Sequence, residues 1–316
     1  MLDNKKIIGT DYQLTFRMIL TGFLLLLAYM ALFSLLLFTG IPIFLVLIFG
    51  VGMVFFQYYM SDKLVLKTTR AKVVSAEEEP FLHQTIEQLS NTAGIPKPRN
   101  IAVMDMEAPN AFATGRSPKH ATVAVTTGLM KKLTNDELEA VLGHELAHIK
   151  NRDVMVMTWA SLIVVIAGYL MQMLFWMSLF GGFGGNRREG GGQAAAMMMA
   201  AYVGVIIIYF FSQILISTLS RYRELAADRD GSIICGSPSN LASALRKISG
   251  QIALIPEKDL RQVEHANAFF IIPALQGNAI ASLMSSHPKT EIRIEKLNQL
   301  QTVSYTHLTL PTIYSV

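Results

Sequence analysis

The chain has 316 residues, of which 52% are hydrophobic and only 16% are charged, and its mean hydropathy is +0.39. This composition is too apolar for an ordinary soluble domain and predicts an integral membrane protein. The net charge of +4 is accounted for by lysines and arginines beside apolar stretches, so no nucleic-acid partner is expected. The single cysteine, Cys235, excludes an intramolecular disulfide and indicates a reducing compartment.

Four apolar stretches approach the ~20 residues that a helix needs to cross the hydrocarbon of a bilayer. They are residues 18–38, 41–59, 154–180 and approximately 194–216. The second is marginal because Gly50 and Gly52 interrupt it. We interpret the first two as a hairpin that is retained as an anchor and is not a cleaved signal peptide.

The distribution of positive charge predicts the orientation of this hairpin. Basic residues precede the first stretch and follow the second, whereas the turn between them has none; they are Lys5, Lys6, Arg17, Lys63, Lys67, Arg70 and Lys72. The positive-inside rule then places both ends of the hairpin, and the polar segment 63–153, in the cytoplasm.

The loop between the third and fourth stretches complicates this topology. Residues 181–193 are rich in glycine and carry Arg187 and Arg188, against the charge rule if both stretches cross. Either both stretches cross the membrane and the loop departs from the charge rule, or they form a shorter re-entrant or protein-packed hairpin.

The polar segment between the second and third stretches has the pattern of a soluble domain. Apolar spacing predicts an amphipathic helix over residues 78–93. Residues 99–106 and 120–129 are predicted strands in a hairpin-like pair with one exposed edge, joined by the turn-rich residues 108–120. A strong helix follows in "LTNDELEAVLGHELAHIKNRD", where Thr134 and Glu137 form a capping box, and it leads directly into the third apolar stretch.

Beyond the fourth stretch the chain becomes polar again, with a predicted helix over residues 239–250 that ends at Gly250. Residues 303–316 fit neither the preceding helix nor a capped end, and they match the translation of a sequencing-adapter oligonucleotide. We interpret them as a non-native tail. The predicted segments are a membrane hairpin (1–60), a catalytic segment (61–153), a second hairpin (154–217), a second catalytic segment (218–302) and the tail (303–316).

The helix that leads into the third stretch carries a candidate metal site. His144 and His148 are one turn apart on one face, so both imidazoles can bind one zinc ion. Glu145 lies beside them and can act as a general base on a water molecule at the metal. The alternative is a pair of surface histidines at helical spacing that binds nothing.

Catalytic zinc usually has three protein ligands, so a third ligand is expected in addition to His144 and His148. Glu224 follows the fourth stretch and Asp228 lies one turn later, so the first can bind zinc and the second can orient a histidine ring. The alternative is a salt-bridged helix, because Arg221, Arg223 and Arg229 surround them.

At these residues the chain resembles a known family. "GHELAHIKNRD", "SRYRELAAD", "NAFATG" and "SSHPKTEIRI" are similar to motifs of the HtpX-type membrane metalloproteases, which are relatives of the eukaryotic prenyl-protein protease of the endoplasmic reticulum. The resemblance extends to about residue 300, and Leu225 departs from it where relatives often have an aromatic residue. The site roles that it implies are zinc ligands His144, His148 and Glu224, general base Glu145, buttress Asp228, substrate-binding edge Asn110 and Ala111, oxyanion stabiliser His287 and orienting residue Arg293.

The resemblance implies a mainly α integral membrane protein with about four apolar helices and a cytosolic zincin-like domain that carries a small β-sheet. It implies a zinc endopeptidase with one Zn²⁺ per chain, in the cytoplasmic membrane of a bacterium or archaeon, with its active site facing the cytosol. Its partners would be the lipid bilayer and unfolded or misfolded membrane proteins, in quality control and stress response. The chain has no glycine-rich nucleotide-binding loop, so no nucleotide is expected.

Two other functions stay open. One is a prenyl-protein-type protease with a narrow substrate, although such relatives enclose their site with more membrane helices than four. The other is a non-catalytic membrane scaffold with structural zinc. Structural zinc usually has four closed ligands rich in cysteine, and Cys235 lies outside the motifs.

Overall fold

The computed structural model describes residues 11–39, 43–181, 191–252 and 283–308. Its helices are α1 Tyr12–Thr39, α2 Ile43–Thr68, α3 Pro80–Ala93, α4 Thr127–Lys132, α5 Asn135–Lys150, α6 Asp153–Gly181, α7 Gly191–Cys235, α8 Pro238–Ile252 and α9 Thr290–Leu308. Its strands are β1 Lys72–Val73, β2 Asn100–Met104, β3 Ala111–Thr114 and β4 Thr122–Thr126. The predicted class, mainly α with a small sheet, is confirmed.

Helices α1, α6 and α7 contain segments that are long and apolar enough to cross a membrane, namely Tyr12–Leu37, Asp153–Met177 and Ala196–Cys235. The second predicted stretch lies in α2, which continues through Gly50 and Gly52 without a break. A Cβ atom on Gly50 would lie 2.6 Å from Cγ1 of Ile166, so this glycine lets α2 pack closely against α6. The basic residues Lys5, Lys6, Arg187 and Arg188 lie outside the described part of the chain.

Helix α7 is long enough to contain an apolar part and a polar part. Its 45 residues span about 68 Å at 1.5 Å per residue, more than twice the ~30 Å thickness of the hydrocarbon core. The apolar residues 194–216 are followed on the same helix by the polar run that contains Glu224. The C-terminal part of α7, which carries Glu224 and Asp228, therefore extends beyond the apolar segment.

Helix α5 forms the centre of the part of the fold that contains the sheet. The predicted capping box starts it: the Glu137 amide donates to Thr134 Oγ1 at 3.4 Å, and the Thr134 amide donates to Glu137 Oε2 at 2.9 Å. Its apolar side chains Leu142 and Leu146 are fully buried in a core shared with α3, α8 and the sheet. A helix enclosed on this many sides holds its polar side chains in fixed positions.

The predicted strand hairpin is wrong. The sheet order is β1-β2-β4-β3, so β2 and β4 are parallel neighbours, and β3 pairs antiparallel with the far side of β4. Strand β3 lies within the residues that were interpreted as a turn, because its sequence Ala-Phe-Ala-Thr lacks a clear alternation. The turn back from β3 to β4 requires Gly115, which has φ +127° and would bring a Cβ atom to 2.4 Å from the His120 carbonyl oxygen.

Helix α5 does not run straight into the third apolar stretch. Arg152 has φ 55°, a left-handed conformation that ends α5 and lets α6 start in a new direction at Asp153. This junction lies within one turn of His148. It places the start of a membrane helix directly beside a predicted metal ligand.

Two boundaries near the C-terminus differ from the prediction. Helix α8 continues through Gly250 to Ile252, the last residue described before 283. Helix α9 continues to Leu308, so residues 303–308 extend the preceding helix, contrary to the expectation for the tail. The non-native origin of residues 303–316 stays a prediction, and residues 309–316 lie outside the described part.

Candidate metal centre

The three predicted metal ligands converge on one point. His144 and His148 come from adjacent turns of α5, and Glu224 comes from the C-terminal part of α7. The two Nε2 atoms lie 3.1 Å apart, His148 Nε2 lies 3.4 Å from Glu224 Oε1, and His144 Nε2 lies 3.7 Å from Glu224 Oε2. One potential ligand atom from each residue lies within 4.8 Å of the others.

Two glycines bring the helices that carry these ligands into close contact. A Cβ atom on Gly231 would lie 2.7 Å from both the amide nitrogen and Cα of His144, and one on Gly143 would lie 3.0 Å from the Gly231 carbonyl oxygen. The contact is between backbones, with no flexible side chain that can move aside. Gly231 is seven residues after Glu224, two helical turns along the same face. The sequence interpretation missed it because the contact joins distant parts of the chain.

A carboxylate lies close to the Nδ1 atom of each ring. His148 Nδ1 is hydrogen-bonded to Asp153 Oδ2 at 2.6 Å, and His144 Nδ1 lies 3.0 Å from Asp228 Oδ1 without a hydrogen bond of good geometry among the described residues. An Nδ1–H that faces a carboxylate leaves the Nε2 lone pair free, so the two facing Nε2 atoms both present lone pairs. Two lone pairs at 3.1 Å repel each other unless a cation lies between them. The chemistry of these donors therefore fits a metal ion.

Arg293 holds Asp228 in place from α9. Its Nε and Nη2 atoms donate to Asp228 Oδ2 and Oδ1 at 2.8 Å and 2.7 Å, a bidentate pair, and only 1% of Arg293 is exposed. Burial lowers the pKa of Arg293, but the carboxylates of Asp228 and Glu224 raise it by more. The pKa of Arg293 is therefore above its ordinary value. Arg293 thus stays charged in the centre of the protein, beside the His144 ring.

His287 lies beside the ligand carboxylate. Its Nδ1 atom is 3.1 Å from Glu224 Oε2, yet neither atom makes a hydrogen bond of good geometry within the described residues. Among the described residues Glu224 Oε2 is therefore a buried acceptor without a hydrogen bond, although Arg293 Nη1 lies 3.6 Å from it, and this also fits a metal ligand. Glu145 follows His144 on α5 and is 4% exposed, near enough to Arg293 to contribute to its raised pKa.

The predicted substrate-binding residues lie at the start of β3. The Asn110 amide donates to Thr126 Oγ1 at 2.9 Å, and its carbonyl accepts from the Thr126 amide at 2.9 Å. Ala111 pairs with Val125 on one side, and the strand order leaves the other side of β3 at the edge of the sheet. A small cleft is lined by the end of β3, the turn after it and the predicted ligand His148.

Comparison with known families decides what kind of protein has this site. The family described as Peptidase family M48 matches residues 76–301, which include α5, α7 and most of α9. The chain belongs to peptidase family M48. The predicted class of metalloendopeptidase is confirmed, and a metal at this centre is implied by the family.

Relatives in the family match nearly the whole chain. The "Protease HtpX homolog" of Moorella thermoacetica is 48% identical over 300 residues, which cover 93% of this chain and 96% of the relative. The "Protease HtpX homolog 2" of Methanosarcina acetivorans is 48% identical over 291 residues, with 92% and 96% covered. The HtpX-type resemblance is confirmed, and this M48 chain is a membrane protease.

A solved structure shares the fold. The crystal structure of S. mikatae Ste24p matches with a TM-score of 0.55 at 18% identity, and the match covers 88% of this chain and 63% of that chain. At this identity the likeness shows the fold alone. It supports the observed fold, which combines long apolar helices with a small β-sheet.

Proposed function

We propose that this M48 chain is a zinc-dependent endopeptidase, with one ion held by His144, His148 and Glu224. The carrying observation is that two imidazoles and one carboxylate converge while each imidazole contacts a further carboxylate through Nδ1. Two nitrogens and one oxygen form the ligand set of catalytic zinc, which leaves a position for water and substrate. Bound zinc would supply Lewis acidity, which acidifies water and polarises the carbonyl of the scissile bond.

The side chains around the ligands divide the remaining work. Glu145, next to His144, takes the proton of the attacking water and delivers a proton to the leaving amine. Asp228 fixes the His144 ring, and Arg293 holds Asp228 through two hydrogen bonds. His287 contacts the carboxylate of Glu224, which would also bind the metal. From this position His287 stabilises negative charge on the substrate oxygen.

The substrate is an extended peptide that adds to the side of β3 that faces away from β4. Edge strands bind peptides through backbone hydrogen bonds, and β3 packs against α5, which carries two of the ligands. Ala111, whose side chain is buried, would contribute backbone groups, whereas Asn110, whose backbone is already bonded to Thr126, would hold the start of this strand in place.

We place the site at the cytosolic surface of the cytoplasmic membrane, where it cleaves exposed segments of misfolded membrane proteins. The positive charges that flank the first hairpin support this side. The projection of α7 beyond its apolar residues supports a site close to the bilayer yet surrounded by water. A site in this position meets polypeptide segments that emerge from the membrane.

The test uses the full chain purified in detergent, with unfolded casein as the model substrate. Zinc is removed with a chelator and then restored, and cleavage is followed for the wild type, Glu145→Gln and Glu139→Gln. The last variant is a matched control, because Glu139 lies on the same helix, is half-buried and is not one of the converging residues. We expect cleavage to return with zinc in the wild type and the control, whereas Glu145→Gln binds zinc and cleaves at least ~100-fold more slowly. Equal cleavage by Glu145→Gln would contradict the proposed mechanism.

A further inference from the structure

The contact between His148 and Asp153 joins the candidate metal centre to a membrane helix. The ring Nδ1 lies 2.6 Å from Asp153 Oδ2, and Asp153 is the first residue of α6 and is 6% exposed. The left-handed conformation of Arg152 turns the chain so that this carboxylate faces back towards α5. The motifs from which the site was predicted did not assign Asp153 a role.

Helix α7 holds the same carboxylate from the other side. Asp153 Oδ1 is in contact with Nη2 of Arg223, and this guanidinium also donates to the Asn151 carbonyl at 2.7 Å. Arg223 directly precedes the ligand Glu224. The two ligands from different helices are therefore joined by one chain of contacts, which runs from Glu224 along the backbone to Arg223, Asp153 and His148.

An acidic residue at the start of a helix has an ordinary explanation, which is favourable interaction with the helix dipole. That explanation requires only that the carboxylate lie near the first amides of α6. It does not explain why the carboxylate is buried against an imidazole and an arginine of other elements. A carboxylate that accepts from the Nδ1–H of a metal ligand orients the ring and makes its other nitrogen more basic.

We propose that Asp153 is a positioning residue for His148 and that Arg223 holds Asp153 in place. The contact between the membrane helices α6 and α7 then sets the orientation of a metal ligand. The proposal rests on His148 being a zinc ligand, as proposed above. Removal of the carboxylate leaves the ring free to turn and to exchange its tautomer. Zinc affinity then falls, and turnover falls with it.

The experiment measures zinc affinity by chelator competition on the full chain in detergent, for the wild type, Asp153→Asn, Asp153→Ser and Asp230→Asn. Asn and Ser both suit the start of a helix, so α6 keeps a favourable first residue. Asp230 is the matched control: it accepts from Asn151 Nδ2 at 2.9 Å and joins α7 to the same junction, but it has no contact with a ligand ring among the described residues. We expect zinc to bind about 10- to 100-fold more weakly in both Asp153 variants and within about twofold of the wild type in the control.

Two further readouts separate positioning from general destabilisation. The visible spectrum of the Co²⁺-loaded protein should change in the Asp153 variants and not in the control. At saturating zinc, kcat should fall while KM stays within about twofold, because peptide binding at β3 is untouched. Wild-type affinity, spectrum and kcat in Asp153→Asn would overturn the proposal.

If neither Asp153 variant folds, the proposal is tested on the wild type alone. Zinc-loaded protein with ¹⁵N-labelled histidine should show two protected Nδ1–H signals from metal-bound rings, one facing Asp228 and one facing Asp153. Absence of the signal assigned to His148 would overturn the proposal. A wild type that binds no zinc would refute the proposed function itself, an outcome distinct from equal zinc binding by wild type and variants.

Discussion

Gly231→Ala tests whether the contact between α5 and α7 sets the geometry of the metal centre. The new Cβ atom would lie 2.7 Å from the backbone of His144, whereas carbon atoms in contact are about 3.5 Å apart. The two helices must therefore separate by about 0.8 Å at this point. Metal–ligand distances tolerate changes of only about 0.2 Å, so His144 and Glu224 can no longer bind one ion with good geometry.

We expect Gly231→Ala to weaken zinc binding at least ~10-fold and to destabilise the fold by about 1–3 kcal/mol, the range for overpacking a tight core. Zinc affinity by chelator competition and thermal unfolding of the zinc-free protein in detergent measure the two effects. The matched control is Gly250→Ala in α8, where a Cβ atom would meet nothing within 4 Å. There the helix preference of alanine predicts unchanged zinc binding and a gain of about 0.5–1 kcal/mol. Wild-type zinc affinity in Gly231→Ala would refute the reasoning.

Two other substitutions have defined outcomes. Arg293→Leu leaves the buried Asp228 carboxylate unpaired, which should cost about 3–5 kcal/mol in the free energy of unfolding, measured by denaturant titration; a loss below 1 kcal/mol would show that Asp228 is neutralised some other way. Burial raises the pKa of Glu137, but hydrogen bonds from Lys247 and Ser243 lower it by more, so the pKa lies below its ordinary value of 4.5. Because the folded pKa is the lower one, this contribution to stability is present at neutral pH and is lost as the pH falls through 4.5 towards the folded value. Glu137→Gln should therefore lower the melting temperature at pH 7 and narrow its difference from the wild type near pH 4; a constant difference would contradict the assignment.

Local patterns predicted the features that depend on neighbouring residues. His144, Glu145 and His148 lie within one turn of each other, and the Thr134 capping box lies at the start of the same helix, so their arrangement follows from helical periodicity. Glu224 lies 76 residues after His148, and it was predicted as the third ligand from its place after the fourth apolar stretch and from the motif resemblance, not from local periodicity.

Contacts between distant segments were not predictable in the same way. The parallel pairing of β2 with β4 depends on β4 lying between β2 and β3 in the sheet, which no local pattern encodes. Gly231 is one glycine among 22, and it matters because it lies against the backbone of His144, which the sequence does not reveal. Asp153 reads as an ordinary acidic residue at a helix start, and only the turn at Arg152 directs its carboxylate to His148.

The central claim is that one zinc ion is bound by two imidazoles and one carboxylate from α5 and α7. X-ray absorption at the zinc edge of the reconstituted full chain measures this most directly, since it counts imidazole and oxygen neighbours and their distances. We expect one zinc per chain, two imidazole nitrogens at about 2.0–2.1 Å and the remaining neighbours oxygen, with stoichiometric zinc lost in His144→Ala. A zinc spectrum without imidazole neighbours, or one that is unchanged in His144→Ala, would contradict the account.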